Sequence, residues 1–294
     1  MIPVLPGPEM LPHLAELLPE DQEFAALRPI TPEVVAEVCR LGYLPMGLGV
    51  EQPDILLIKC HRQRMVLDVA DLHVPRNARR YARGLTISVD QKFSATLTEI
   101  DRYHEDSWIS LLLADAFQVL HERPIHGVRL HSVEVSDPHA PRSAAPVAAE
   151  IGYTVGRVYT SLSGYHTRNG SGWVQMVGLG RILQQQSAVF WDLGMDIPYK
   201  RRLGARPVAR REFLQRYRAA AGGATRPAAA AGGAAHPTAA TGGHGLNATA
   251  GTNTDGSMPN TPSSAQDLLQ PTGPVPADEL VTGSPSSHGA NGTP

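Results

Sequence analysis

Two kinds of residue in this sequence could carry chemistry: one acid at the end of an apolar run, and several arginines at helical spacing. The acid is Asp192, in Ala188-Val189-Phe190-Trp191-Asp192-Leu193-Gly194-Met195. The run is bounded by Gly194 and Pro198 and preceded by Gln184-Gln185-Gln186, which predicts a short strand covered on both faces. A carboxylate at such a tip can meet a substrate as a base, or it can simply form a turn or cap. The arginines are Arg76, Arg79, Arg80 and Arg83, on one face of a short basic helix closed by Gly84, with Lys59, Arg62 and Arg64 upstream. Lys200, Arg201, Arg202, Arg206, Arg210 and Arg211 form a second cluster beside Asp192. A guanidinium is a planar fork of donors that fits phosphate oxygens, so both clusters are candidates for a nucleic-acid backbone, against the alternative of a solvated helix face.

Other candidates are weaker. Arg168-Asn169-Gly170-Ser171-Gly172 precedes a predicted helix and could offer backbone N–H groups to an anion, although an ordinary glycine turn explains it equally. Ser161-Leu162-Ser163-Gly164 lacks the first glycine of a nucleophile elbow and argues against serine hydrolysis. His73, His131 and His166 read as hydrogen-bonded structural residues. Cys39 and Cys60 are the only cysteines, too few for a disulfide framework or a four-ligand zinc site, and no metal is expected.

The elements that must position these groups follow from pattern. Thr31-Pro32-Glu33 opens a helix whose stripe is Val34, Val35, Val38 and Leu41 and which Gly42 stops. Ile55–Ile58, Met65–Leu67 and Leu85–Asp90 read as strands, and Phe93, Leu97 and Ile100 as one face of a helix. A second helix carries Leu112, Leu113, Ala116, Phe117 and Leu120. Val128–Val135 and the segments around 151–162 are strands, with a Pro/Ala-rich connection over 136–149. A helix from Gly172 to about Gln186 feeds the Asp192 strand, and a basic helix over 209–218 closes the fold. Such an order is α+β. The span 219–294 is Ala/Gly/Thr/Pro/Ser-rich without one aromatic residue, so it is expected to be disordered. The formal net charge of -2 hides its asymmetry: the tail holds one arginine, Arg226. No segment reads as a signal, transit peptide or membrane span, which leads to the expectation of a cytoplasmic protein.

Taken together, the residues resemble the bacterial leucyl/phenylalanyl-tRNA–protein transferases from about Thr31 to Arg218. The resemblance rests on Ile30-Thr31-Pro32-Glu33 with Gly42-Tyr43-Leu44-Pro45-Met46, Leu72-His73-Val74-Pro75-Arg76, Ile87-Ser88-Val89-Asp90-Gln91-Lys92-Phe93, Ser107-Trp108-Ile109, His131-Ser132-Val133-Glu134-Val135, and Leu203–Leu214. It implies an N-terminal extension (1–29), a small N-terminal α/β domain with the basic helix (30–105), an acetyltransferase-like (GNAT-type) aminoacyl-transfer domain (106–218) and the disordered tail (219–294). It implies transfer of leucine or phenylalanine from aminoacyl-tRNA to the N-terminal amine of a protein beginning with Arg or Lys, marking it for degradation. It also implies no cofactor beyond the aminoacyl-tRNA, no membrane partner and a monomer. Acetyl-coenzyme A-dependent N-acetyltransfer and a non-catalytic tRNA- or protein-binding module are the competing readings.

By the same resemblance Asp192 is the catalytic acid, as base or proton relay, and Ser163, Tyr165 and His131 line the acceptor and aminoacyl pocket. Arg76, Arg79, Arg80, Arg83 and Trp108 meet the tRNA, Trp108 at its terminal adenosine. The departures are local. The family's glutamine two residues past the aspartate is Gly194 here, its tryptophan pair in the first domain is Leu57-Ile58, and its Gly-Glu-Ser-Met-Phe loop reads Ser161-Leu162-Ser163-Gly164-Tyr165. An apolar Leu162 cannot bind a cationic acceptor residue. These changes and the tail point to a divergent or eukaryotic branch.

Overall fold

A computed structural model describes residues 2–48, 52–105, 107–222 and 267–283. A 3₁₀ turn (Pro8–His13) leads into α1 (Leu14–Leu17), then β1 (Phe24–Leu27), α2 (Pro32–Arg40), β2 (Leu44–Leu48), β3 (Gln52–Lys59) and β4 (Gln63–Asp68). Next come α3 (Ala78–Ala82), β5 (Thr86–Val89), α4 (Phe93–Tyr103), α5 (Leu111–Glu122) and the antiparallel β6 (Val128–Ser136), β7 (Ala148–Val155) and β8 (Val158–His166). The chain continues through α6 (Ser171–Gln185), β9 (Phe190–Asp192), α7 (Pro198–Arg201), β10 (Arg206–Ala209) and α8 (Arg210–Ala220), and the last described segment holds β11 (Thr272–Pro276) and α9 (Ala277–Thr282). The local signals act as expected: the Thr31 hydroxyl accepts from the Val34 N–H at 3.3 Å, and Gly42, at φ +86°, turns the chain out of α2.

The strands form a small sheet, β1-β3-β2, and an eight-stranded sheet ordered β10-β4-β9-β8-β7-β6-β5-β11. All pairings in the large sheet are antiparallel except β8 with β9. That one parallel pair requires a crossover, which α6 supplies. Two apolar clusters flank the large sheet. One joins α2, α5, α8 and the small sheet through residues such as Val35, Phe117, Tyr153 and Phe213. The other joins α3, α6 and α9 through Ala82, Val177, Leu183 and Val281.

The first 29 residues pack with the rest: Leu11 and Leu14 are fully buried, and β1 pairs with β3. Two expectations are corrected. Part of the expected disordered tail is ordered as well. β11 adds an edge strand to β5, α9 packs on α3 and α6, and Leu269, Ala277 and Val281 are buried. The physical reason is that these few apolar residues complete the cluster over α6, a contact that composition averaged over 76 positions hides. The remainder of that tail, 223–266 and 284–294, lies outside the described residues. Finally, Leu112 faces outward, 41% exposed beside Leu111 at 84%.

Candidate active site

The parallel pairing of β8 and β9 is short: Val158 with Phe190, Tyr159 with Trp191, Thr160 with Asp192. Beyond it β8 runs on to His166 along β7. Residues 193 and 194 instead follow β4, through Leu193 N–H to the Met65 carbonyl and Met65 N–H to the Gly194 carbonyl, both 2.8 Å. The two strands therefore part, leaving a wedge between Ser161–Gly164 and Leu193–Gly194. Gly194 is buried with φ +74°, yet a Cβ there would meet nothing within 4 Å, so open space adjoins the strand tip. An L side chain would be strained at that φ.

On one face of the sheet stands Asp192, fully buried and ion-paired with Arg64, which is 2% exposed. Arg64 Nε donates to Asp192 Oδ1 at 3.0 Å and a terminal guanidinium nitrogen donates to Oδ2. The Gly194 N–H also reaches Oδ1, at 3.0 Å, and the Thr160 hydroxyl reaches Oδ2, at 3.2 Å. Each oxygen thus accepts two donors, which fills the carboxylate's four lone-pair directions. Burial works to lower the Arg64 pKa, but the Asp192 charge and hydrogen bonds lift it above the ordinary guanidinium value. The guanidinium also lies 4.6 Å from the Phe213 ring centroid.

The opposite face is polar too, because Tyr159 and Trp191, one step back along their strands, point the other way. Glu150, from β7, is 6% exposed and accepts from the Tyr159 hydroxyl and the Ser161 hydroxyl, each at 2.9 Å and each on Oε1. The Trp191 indole N–H donates to Ser161 Oγ at 2.8 Å. Burial pushes the Glu150 carboxyl up to about 7, against the pull of Ser161, Tyr159, Gln175 and Lys200. Gln175, on α6, is 5% exposed, and its amide stands beside the Glu150 carboxyl, whose charged form it favours. Lys200, 7% exposed, donates to the Leu193 carbonyl at 2.5 Å and to the Met195 carbonyl at 3.1 Å, and burial lowers its pKa to about 8.

Ser163 is half-buried, on the stretch of β8 beyond its pairing with β9. Tyr165 is 5% exposed, its hydroxyl held by the Pro146 carbonyl at 3.0 Å. His131 is not brought to the wedge. It is fully buried on β6, three strand spacings of about 4.8 Å from β9. Its ring nitrogens are engaged by Asp90 at 2.8 Å and Thr154 at 3.0 Å, so it is a core residue of the sheet. Arg76, Arg79, Arg80 and Arg83 are exposed around α3, and Arg201, Arg202, Arg206 and Arg211 are exposed near α7 and β10. Three residues counted with the basic clusters are withdrawn from any phosphate. Arg64 and Lys200 are buried as described, and Arg210 donates to the carbonyls of His61, Pro19, Gln22 and Cys60. Trp108 is half-buried, edge-on to Phe117, and its carbonyl accepts from the Gly47 N–H at 2.8 Å.

Sequence reasoning missed Glu150, Gln175 and Thr160 as site residues. The one usable signal was an acid inside the apolar run Ala148-Ala149-Glu150-Ile151, since a carboxylate in a buried strand needs a local reason. Among the described residues no group of three or more His, Cys, Asp or Glu could hold a metal, and no helix is long and apolar enough to cross a membrane.

A family model described as leucyl/phenylalanyl-tRNA protein transferase matches residues 66–218. The chain is 31% identical over 157 residues to a leucyl/phenylalanyl-tRNA–protein transferase of Tolumonas auensis, covering 52% of this chain and 63% of that protein. It is 26% identical over 196 residues to the transferase of the same description from Cereibacter sphaeroides, covering 66% of this chain and 86% of that one. Among solved structures, a crystal structure of FemX is similar at a TM-score of 0.36 and 11% identity, covering 68% of this chain and 74% of that chain, a likeness too loose to carry an inference.

Proposed function

The chain belongs to the leucyl/phenylalanyl-tRNA protein transferase family, and from that premise we propose that it moves an aminoacyl group from aminoacyl-tRNA to the N-terminal amine of an acceptor protein, tagging it for turnover in the cytoplasm. The observation that carries this reading is the span of the family match, 66–218, which contains β8, α6, β9 and the whole wedge at Asp192. A short parallel pair joined by a helix and parting into a wedge also supports the acetyltransferase-like (GNAT-type) description of this part of the fold.

The reaction is aminolysis of an ester. The amine nitrogen bonds to the carbonyl carbon, the bond to the tRNA 3′-oxygen breaks, and the proton lost by the amine ends on that oxygen. The ester supplies the activation, so the aminoacyl-tRNA is the co-substrate and the step as written needs no other cofactor. Since its lone-pair directions are filled, Asp192 acts by holding the strand tip and the Gly194 N–H in place, and any proton relay passes through the Thr160 hydroxyl, which donates to it. Ser163 and Tyr165 border the β8 side. The exposed arginines 76, 79, 80 and 83 take the tRNA phosphates, and Trp108 lies toward the terminal adenosine.

Incubation of the purified chain with labelled Leu-tRNA or Phe-tRNA and an Arg-starting peptide tests the reading. Label in the peptide is the expected result. None from any aminoacyl-tRNA, while a bacterial enzyme labels the same peptide in parallel, would sink it.

A further inference from the structure

The basic helix α3 is five residues long, and the Asn77 side chain at its N-cap makes no capping hydrogen bond. A helix this short does not persist on its own propensity, so its neighbours must hold it. Its inward residues are alanines, Ala78 at 1% and Ala82 at 0% exposure, buried in the same cluster as Leu269, Ala277 and Val281. Those three belong to the returning segment 267–283, all of which lies beyond the family match that ends at residue 218. The segment is fastened along its length. Asp267 pairs with Arg129 on β6 at 2.6 Å, β11 pairs with β5 through Thr272, Val275 and Pro276, and the Ala277 N–H donates to the Leu85 carbonyl, just past α3, at 2.9 Å. α9 then lies against α3 and α6. Arg76, Arg79, Arg80 and Arg83 stay exposed with the segment docked, so it backs the basic helix without covering it.

We propose that segment 267–283 is a positioning element for tRNA binding: docked on β5 and α6, it holds α3 so that its arginines meet the phosphates together; this rests on the reading of α3 as the tRNA surface. With the segment undocked, α3 keeps its contacts with α6 and the packing of Tyr81 on Gly170, where a Cβ would come within 2.3 Å of the Tyr81 ring. The helix must then be ordered when tRNA arrives, and that lost entropy subtracts from affinity. The sign separates this role from a purely electrostatic one. α9 brings Asp278 and Glu279 in its first turn, and residues 267–283 include no Lys, Arg or His. Charge alone would make undocking tighten tRNA binding, by taking acids away from a phosphate-binding surface. Positioning makes undocking weaken it.

The test uses the full-length chain carrying Leu269→Ser and Val281→Ser together, which removes two buried apolar anchors of the segment without changing its charge. Hydrogen exchange read by mass spectrometry is expected to speed up at least about tenfold in residues 78–84, while β7 and β8 keep their protection. Filter binding of unacylated leucine tRNA is expected to weaken about five- to eightfold at about 0.1 M salt, with the slope of log K on log salt shallower by about 0.7–0.9, the equivalent of one phosphate contact. In aminoacyl transfer, KM for aminoacyl-tRNA should rise while kcat and the KM for the acceptor peptide hold, a split that a general loss of stability does not produce. Exchange in α3 unmoved, or tRNA bound equally or more tightly by the variant, overturns the proposal and leaves the transfer reading standing. A wild-type chain that binds no tRNA overturns both. Should the double variant lose its fold, Val281→Ala in the full-length chain carries the same measurements.

Discussion

Replacing Asp192 by Asn should cost this protein a large part of its stability, and the cost follows from the hydrogen bonds of the carboxylate. Whichever oxygen becomes an NH₂ group then faces two donors: Arg64 Nε and the Gly194 N–H at one position, or the second Arg64 nitrogen and the Thr160 hydroxyl at the other. Arg64 keeps its charge at 2% exposure with no counter-ion. Removing one partner of such a buried pair costs about 3–5 kcal/mol, a substantial share of the roughly 5–15 kcal/mol that stabilises a typical fold. Arg64→Met strands the carboxylate and should cost a similar amount. The double variant removes both charges and should fall well short of the sum, with a coupling of about 2 kcal/mol or more. Urea unfolding followed by fluorescence of the adjacent Trp191 reads this as a lower midpoint at unchanged slope. Asp192→Asn within about 1 kcal/mol of wild type, with no coupling, would refute the locked ion pair. Activity divides the roles further. If Asp192 anchors the strand tip, Arg64→Met should reduce aminoacyl transfer as much as Asp192→Asn. If Asp192 were the base itself, Arg64→Met would retain transfer that Asp192→Asn abolishes.

Truncation after Gly222 removes Leu269, Ala277 and Val281 from the cluster over α6 together with the Arg129–Asp267 ion pair, and should lower unfolding stability by several kcal/mol, at about 25 cal/mol per Å² of apolar surface re-exposed; an unchanged urea midpoint would show that the returning segment contributes nothing. Burial raises the Glu150 carboxyl from 4.5 to about 7, so its contribution to stability is complete below pH 4.5 and is lost as pH rises to about 7, a change on the order of 3 kcal/mol that Glu150→Gln should abolish in urea midpoints taken across that window. His61 works in the opposite sense: burial and nearby cations lower it from 6.5 to about 3, so its contribution is present above pH 6.5 and is lost toward pH 3, and His61→Gln should flatten the acid limb of the same curve. Replacing Arg79 and Arg80 by Ala should weaken tRNA binding and reduce the salt slope of log K by about 0.7–0.9 per lost phosphate contact, while leaving thermal stability near wild type because both side chains are exposed; an unchanged slope would move the tRNA surface elsewhere.

Much of the fold was legible because its signals are local. The Thr31 cap, the Gly42 stop, the apolar runs of the strands and the spacing of α6 each act within a few residues, and the observed elements follow them. Even the strand that carries Asp192 was found, since an apolar run between Gln186 and Gly194 has few other readings. The partners of that acid were not legible. Arg64 sits 128 positions away, and on sequence it read as one more arginine in a basic stretch. Only its alternation with Val66, which points to the same face of β4, hinted that it turns inward. Glu150 escaped because its one local sign, the apolar run Ala148-Ala149-Glu150-Ile151, falls where a stretch read as a connection meets a strand read from 151, and Lys200 was counted among surface cations because it sits in a run of basic residues.

The sequence by itself therefore determined most of the elements between α2 and α8, the family and the position of one strand-end acid, because propensity, capping and periodicity are written within a few residues of where they act. Tertiary structure decided what that acid does and what surrounds it. Pairing of β4 with β9 brings Arg64 to Asp192, and the parting of β8 from β9 opens the wedge. The register of β7 on β8 sets Glu150 opposite Gly164, from where its carboxyl reaches the hydroxyls of Ser161 and Tyr159, and the returning β11 and α9 close over α6. Each of these is a contact between residues far apart in the chain, whose free energy exists only once the strands are in register and water has been expelled from between them.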